Sequence, residues 1–172
     1  MNIPSCKSAA INAGLSRIEL NELLEIAKRA AQTGGESLMN NYGKIKTIKC
    51  KGTSGDLVTN ADIECEKIII EYLEKKTPNI SILAEESGYK LKDGELKWCI
   101  DPLDGTTNYA HGYPFFATSI GLIWNSNPIL GAISVPSLNE LYYASPEHGS
   151  FCNGEKINVT KTNSLSNSLL VT

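Results

Sequence analysis

Histidine is nearly absent from this chain: His111 and His148 are the only two in 172 residues. Neither lies in metal-ligand spacing, so each reads as a hydrogen-bonded structural or surface residue and no histidine-built metal centre is expected. The five cysteines, Cys6, Cys50, Cys65, Cys99 and Cys152, include no Cys-x-x-Cys pair. Scattered and odd in number, they make a poor disulfide framework and point to a reducing compartment, hence the cytoplasm. No stretch approaches the roughly 20 apolar residues that span a bilayer, and the opening residues lack the continuous apolar core of a signal peptide. Charge of one sign is lacking too: 16 basic against 19 acidic side chains leave a net charge of -3. That balance offers no general attraction for nucleic acid or an anionic membrane, and no basic-aromatic interleaving suggests a nucleic-acid surface. A phosphorylated substrate would need local help, such as bound cations. Internal repeats and low-complexity tracts are missing as well.

What remains is the composition of an ordinary soluble globular domain, 41% hydrophobic and 20% charged. Residues 1–16 hold Lys7 and three serines but no acid, and read as a disordered leader. Ser16 and Glu19 then form a capping box ahead of Leu20, Leu23, Leu24, Ala27, Ala30 and Ala31, which share one helical face. Leu38 keeps that stripe in phase beyond Gly34 and Gly35, so either the glycines permit close packing within one helix or they divide two shorter ones. A hairpin arm is expected across 44–51, a flexible turn across 51–56, and a short extended piece across 56–59. Asn60 can cap a second helix from Ala61 to about Lys76, with Asp62 in its first turn and Pro78 past its end. Short apolar runs rich in β-branched and aromatic residues follow at 80–84, 98–100, 115–124, 129–135 and 140–144, and these are strands. Asn153-Gly154 is a two-residue hairpin signal, because a type I′ turn needs positive φ at both positions. Helices first and strands later give an α+β class: two N-terminal helices on a largely antiparallel sheet. An apolar run begins at Leu169 with no turn after it, which reads as a strand whose neighbours lie in sequence still to come.

One segment carries the chemistry. In Trp98-Cys99-Ile100-Asp101-Pro102-Leu103-Asp104-Gly105-Thr106-Thr107-Asn108, an apolar strand runs into two carboxylates, then glycine with hydroxyls. Asp101 at the strand end and Asp104 in the following turn can aim at one point, with the Leu103 carbonyl as a further oxygen. Oxygen donors of this kind suit a hard cation such as Mg2+, which wants octahedral oxygen coordination and keeps several waters. Gly105 lets the backbone approach closely, and if a helix opens there the Gly105 and Thr106 amides would face a phosphate. Taken alone, Asp-x-x-Asp-Gly also describes a solvated turn. Glu85 and Glu86 end another apolar run, and Asp62 begins a helix; spacing alone leaves open whether these acids meet or stand apart on the surface.

Three segments in order, Asp56-Leu57-Val58-Thr59-Asn60-Ala61-Asp62, Ala84-Glu85-Glu86-Ser87 and the Asp101 to Asn108 stretch, resemble the motifs of inositol monophosphatases. The similarity continues through Tyr109-Ala110-His111-Gly112-Tyr113-Pro114 and Phe151-Cys152-Asn153-Gly154 to the C-terminal residues, so it covers nearly everything after the leader. It implies the first part of an αβαβα sandwich and Mg2+-dependent hydrolysis of a phosphate monoester, most simply inositol monophosphate. By the same resemblance, Glu85, Asp101 and the Leu103 carbonyl hold one magnesium, and Asp101 and Asp104 share a second. Asp62 and Thr106 position and activate a metal-bound water, while Asp104, Gly105 and Thr106 hold the substrate phosphate. Glu86 lies beside the set and tunes it, and Lys51 matches a loop lysine of the family that reads equally well as a solvated surface residue. Thr107-Asn108 is closer to the inositol-phosphate branch than to the bisphosphate nucleotidases and sugar bisphosphatases.

The sequence departs from the family in one respect. Members carry a later Trp-Asp motif that completes the second metal site, and no Trp-Asp occurs here. The expectation is therefore residues 17–172 as an N-terminal metal-binding domain without the C-terminal portion. A noncatalytic cation-binding or interaction domain, pairing with itself or with a full-length relative, stands as the alternative to an active hydrolase.

Overall fold

The computed structural model describes residues 5–44, 48–50, 57–146 and 148–169. The expected turn at 51–56, with Lys51 and Asp56, lies outside the described residues, as do the last three residues of the C-terminal apolar run.

Among the described residues a short third helix joins the two expected ones ahead of the main sheet. Helix α1 (Cys6–Asn12) occupies the segment expected to be a disordered leader. Ser5 caps it by accepting the Ser8 amide, and Ala9 and Ala10 are buried where α1 meets the sheet. An isolated helix this short is unstable in water, so tertiary packing that no local pattern announces holds it. Helix α2 (Arg17–Asn41) starts at the expected capping box, Ser16 with Glu19, and runs unbroken through Gly34 and Gly35. Both glycines mark close approach. A Cβ on Gly34 would lie 2.7 Å from Thr118 Cγ2 and 2.8 Å from Ile69 Cδ1, and one on Gly35 would lie 2.6 Å from Ser134 Oγ.

Strands β1 (Ile48–Cys50) and β2 (Leu57–Thr59) pair antiparallel as a small arm. Helix α3 (Asn60–Lys76) follows directly, and its cap is Thr59 rather than Asn60. The reason is a second capping box: the Thr59 hydroxyl accepts the Ala61 amide while Asp62 Oδ2 accepts the Thr59 amide at 2.9 Å.

The main sheet holds β3 (Ser81–Ala84), β4 (Gly88–Lys90), β5 (Leu96–Asp104), β6 (Ala117–Trp124), β7 (Asn127–Val135), β8 (Glu140–Ser145), β9 (Gly149–Cys152) and β10 (Glu155–Ile157). Their spatial order is β10-β9-β8-β7-β6-β5-β3-β4, antiparallel except for the β3–β5 pair, which is parallel. The mixed α+β class with a largely antiparallel sheet is therefore as expected. Strand β4 was not anticipated, because Gly-Tyr-Lys is too short and polar to show alternation. Asn153 and Gly154 adopt φ of 50° and 89° between β9 and β10, as the hairpin reading required. Helices α1, α2 and α3 pack against β5, β6, β7 and β8. The core lies in that layer, with Trp98, Ile69, Leu73, Ile82, Ile120 and Leu122 buried. Across the sheet, Ser119, Gly121, Gly131, Ile133, Tyr142 and Ile157 floor a shallow groove of about 350 Å3. Trp98 donates its indole N–H to Thr77 Oγ1, which anchors β5 to the end of α3.

Candidate active site

The site grows from the end of the parallel pair. Ala84 lies beside Ile100 in the register, and the Glu85 amide donates to the Ile100 carbonyl at 3.2 Å, so Glu85 emerges next to Asp101. Ligand sites in α/β sheets favour such carboxyl ends of parallel strands.

Strand β5 does not stop at Asp101 as expected. It continues to Asp104 through an irregularity, with Asp101 opposite Ser119 and Asp104 opposite Ala117. Such a bulge re-aims side chains beside it. Buried groups hold it in place. The Pro102 carbonyl accepts the Thr118 hydroxyl at 3.0 Å and the Cys65 thiol at 3.2 Å. Cys65 is buried on α3, and that burial pushes its thiol up to about 12, so it serves as a neutral donor rather than a nucleophile. The Leu103 side chain is buried, its amide donates to Asp101 Oδ1, and its carbonyl accepts the Thr106 hydroxyl at 3.0 Å.

Gly105 caps helix α4 (Thr106–Ala110) at φ 86°, a conformation that favours glycine. A Cβ there would also meet the Phe115 carbonyl at 3.1 Å. Thr106 Oγ1 lies 3.3 Å from Asp62 Oδ1, joining α4 to α3. Asp62 is buried, and its other oxygen takes both the Thr59 amide and, at 2.6 Å, the Thr59 hydroxyl.

Electrostatically the acids act as a group. Burial raises the Asp101 carboxyl to about 7, helped by the charge and hydrogen-bonding reach of Glu85 and by the charge of Asp104, against the opposing Leu103 amide. Glu85 and Asp104 are themselves exposed, and Glu85, Asp101, Cys99, Ser119 and Gly121 line a cleft of about 290 Å3. Among the described residues, no three acid, histidine or cysteine side chains form a ready-made metal cluster. The donors fit a hard cation in kind, since all are oxygens, and in charge, since mutual repulsion is what a cation relieves. An open arrangement also suits an ion that keeps part of its water shell.

Of the residues picked out by sequence, Glu85, Asp101, Leu103 and Asp104 gather at one end of β3 and β5, and Asp62, Gly105 and Thr106 gather beside them. Glu86 follows Glu85 with its backbone amide turned toward α3. Sequence reasoning passed over Glu66, a buried acid whose two carboxylate oxygens accept the amides of Glu86 and Ser87 at 2.7 and 3.0 Å. Its signal was there: Glu66 stands one helical turn beyond Asp62, inside the buried stripe with Cys65, Ile69, Ile70 and Leu73. His111 and His148 bond to the Thr107 carbonyl and the Ser145 hydroxyl and stay outside the site.

A family model described as the inositol monophosphatase family matches residues 19–172. Inositol-1-monophosphatase of Synechocystis is 44% identical over 155 residues, 90% of this chain and 54% of its own length. Fructose-1,6-bisphosphatase/inositol-1-monophosphatase of Aquifex aeolicus is 40% identical over 148 residues, 85% of this chain and 56% of its own. Among solved structures, extragenic suppressor protein suhB from Bartonella henselae superposes with a TM-score of 0.78 at 36% identity, covering 82% of this chain and 55% of that one. The chain thus spans about half the length of the curated relatives it matches.

Proposed function

We propose a function from one premise: the chain belongs to the inositol monophosphatase family. Its residues support Mg2+-dependent hydrolysis of a small phosphate monoester, with inositol monophosphate as the first candidate. The observation that carries this reading is the gathering of Glu85, Asp101 and Asp104, where burial first, and then the neighbouring Glu85 and Asp104, lifts the Asp101 carboxyl to about 7. Glu85, Asp101 and the Leu103 carbonyl would hold one magnesium, and Asp101 with Asp104 a second. Magnesium bound there would neutralise phosphoryl charge and acidify a coordinated water. The protein's own part is positioning. Asp62 is pinned through Oδ2 by Thr59 and presents Oδ1 to Thr106 Oγ1, so this pair can accept a proton from an attacking water. Thr106 carries one hydroxyl proton with two acceptors in reach, Leu103 and Asp62, which lets its oxygen lone pairs face the water. The Gly105 and Thr106 amides, at the start of α4, would orient the phosphate, with Asp104 at its edge.

The test is phosphate release from inositol monophosphate by the purified chain, with and without Mg2+, against Asp101→Asn. Metal-dependent release abolished by that substitution is the expected result; equal release by both proteins sinks the reading. Fructose 1,6-bisphosphate belongs in the same panel, because the Aquifex relative's name includes that activity. A second reading, a cation-binding domain without turnover, needs only the gathered acids Glu85, Asp101 and Asp104. Mg2+ binding without phosphate release would select it.

A further inference from the structure

Glu66 presents a physical problem. It is 3% exposed on α3, and burying a carboxylate is unfavourable unless strong donors meet it. The donors that meet it are two consecutive backbone amides, Glu86 N–H to Oε2 and Ser87 N–H to Oε1. A glutamine at this position has one carbonyl oxygen and could not accept both in that fork. The clamp therefore needs both oxygens of the Glu66 side chain as acceptors, one for each amide.

The clamp lands immediately beyond Glu85. On one side of Glu85 its own amide is tied to Ile100 of β5, and on the other the Glu86 amide is tied to Glu66. The Glu85 backbone is thus fixed at both ends while its carboxylate faces Asp101. An exposed segment without those two ties would be free to carry Glu85 away from the end of β5.

We propose that Glu66 is a positioning residue, whose buried carboxylate clamps the Glu86 and Ser87 amides and so holds Glu85 against Asp101 to share a divalent cation that Glu66 itself never touches. This rests on the cation-site reading above. Groups one shell removed from a metal commonly change its affinity about 10- to 100-fold.

The experiment is calorimetric titration of Mg2+ into the whole chain, its Glu66→Gln variant and Thr77→Val. Thr77→Val takes the acceptor from buried Trp98 at the far end of α3 and serves as a stability control. Expected is a loss of about tenfold in Mg2+ affinity for Glu66→Gln, near the low end of that range. Thr77→Val should lower the melting temperature and leave the affinity alone. Unchanged affinity in Glu66→Gln, with wild type binding, overturns the inference alone. Equal weakening by both variants assigns the effect to general destabilisation and overturns it too. An absence of binding by wild type overturns the cation-site reading and this inference with it. If Glu66→Gln does not fold, amide exchange in wild type decides. Coupling is reciprocal, so Mg2+ must slow exchange at Glu86 and Ser87, and rates indifferent to Mg2+ count against the clamp.

Discussion

Two layers of the site meet along β5 and treat their polar groups in opposite ways. Beneath the strand, Asp62, Cys65, Glu66 and Thr118 are buried and every one has a partner: Thr59, the Pro102 carbonyl, the Glu86 and Ser87 amides. No buried side-chain nitrogen or oxygen among the described residues lacks a hydrogen bond. Above the strand, burial of Asp101 and the nearby charges of Glu85 and Asp104 together raise the cost of ionising it. The lower layer is complete as a structure. The upper one keeps its acids close together, and on the reading proposed above that is where the chemistry takes place.

If this division holds, the largest stability losses come from the lower layer. Gly34→Val places methyl groups where Thr118 and Ile69 already approach within 2.8 Å, and overpacking should cost about 3 kcal/mol in urea unfolding. Thr118→Val keeps the shape but withdraws the hydroxyl from the Pro102 carbonyl, leaving that bond to the weaker Cys65 thiol. We expect a loss of about 2 kcal/mol, read from the same unfolding curves.

The upper layer should behave in the reverse sense. Asp101 sits near 7 in the folded chain against an ordinary 3.8, so the folded state holds its proton more tightly than the unfolded state does. That contribution to stability is fully present below the ordinary value and is lost as pH rises through 7. Metal-free melting temperatures should therefore fall from pH 5 to 8, and Asp101→Asn should flatten the fall. A profile that rises over this range, or one unchanged by Asp101→Asn, breaks the comparison. The smallest effect belongs to exposed Asp104: Asp104→Asn should change metal-free stability by less than about 0.5 kcal/mol by thermal melt.

Much of this contrast could be read in the sequence, and what could not has physical causes. The capping box at Ser16, the Asn153-Gly154 turn and the strand runs are local patterns, and the structure follows them. Gly34 and Gly35 posed a choice that spacing left open, because their role depends on Thr118 and Ser134, more than 80 residues away. Helix α1 was missed since Ala9 and Ala10 are buried by long-range packing, β7 included. The acids on strand ends were visible one at a time, but their meeting depends on the parallel β3–β5 register, which is long-range. The bulge that carries β5 past Asp101 was hidden for the same reason, being held from α3 and β6. Glu66 was overlooked because one acid in an apolar helical stripe resembles a surface residue until its partners, Glu86 and Ser87, are known.

On the proposed function, a hard cation relieves the carboxylates gathered around Asp101. Carbon-13 NMR titration of the Asp101 carboxyl, with and without Mg2+, tests it most directly. The expected midpoint lies near 7 without metal and falls toward the ordinary carboxylate range when Mg2+ is added. A midpoint already ordinary without metal, or a raised one that Mg2+ leaves in place, would contradict it.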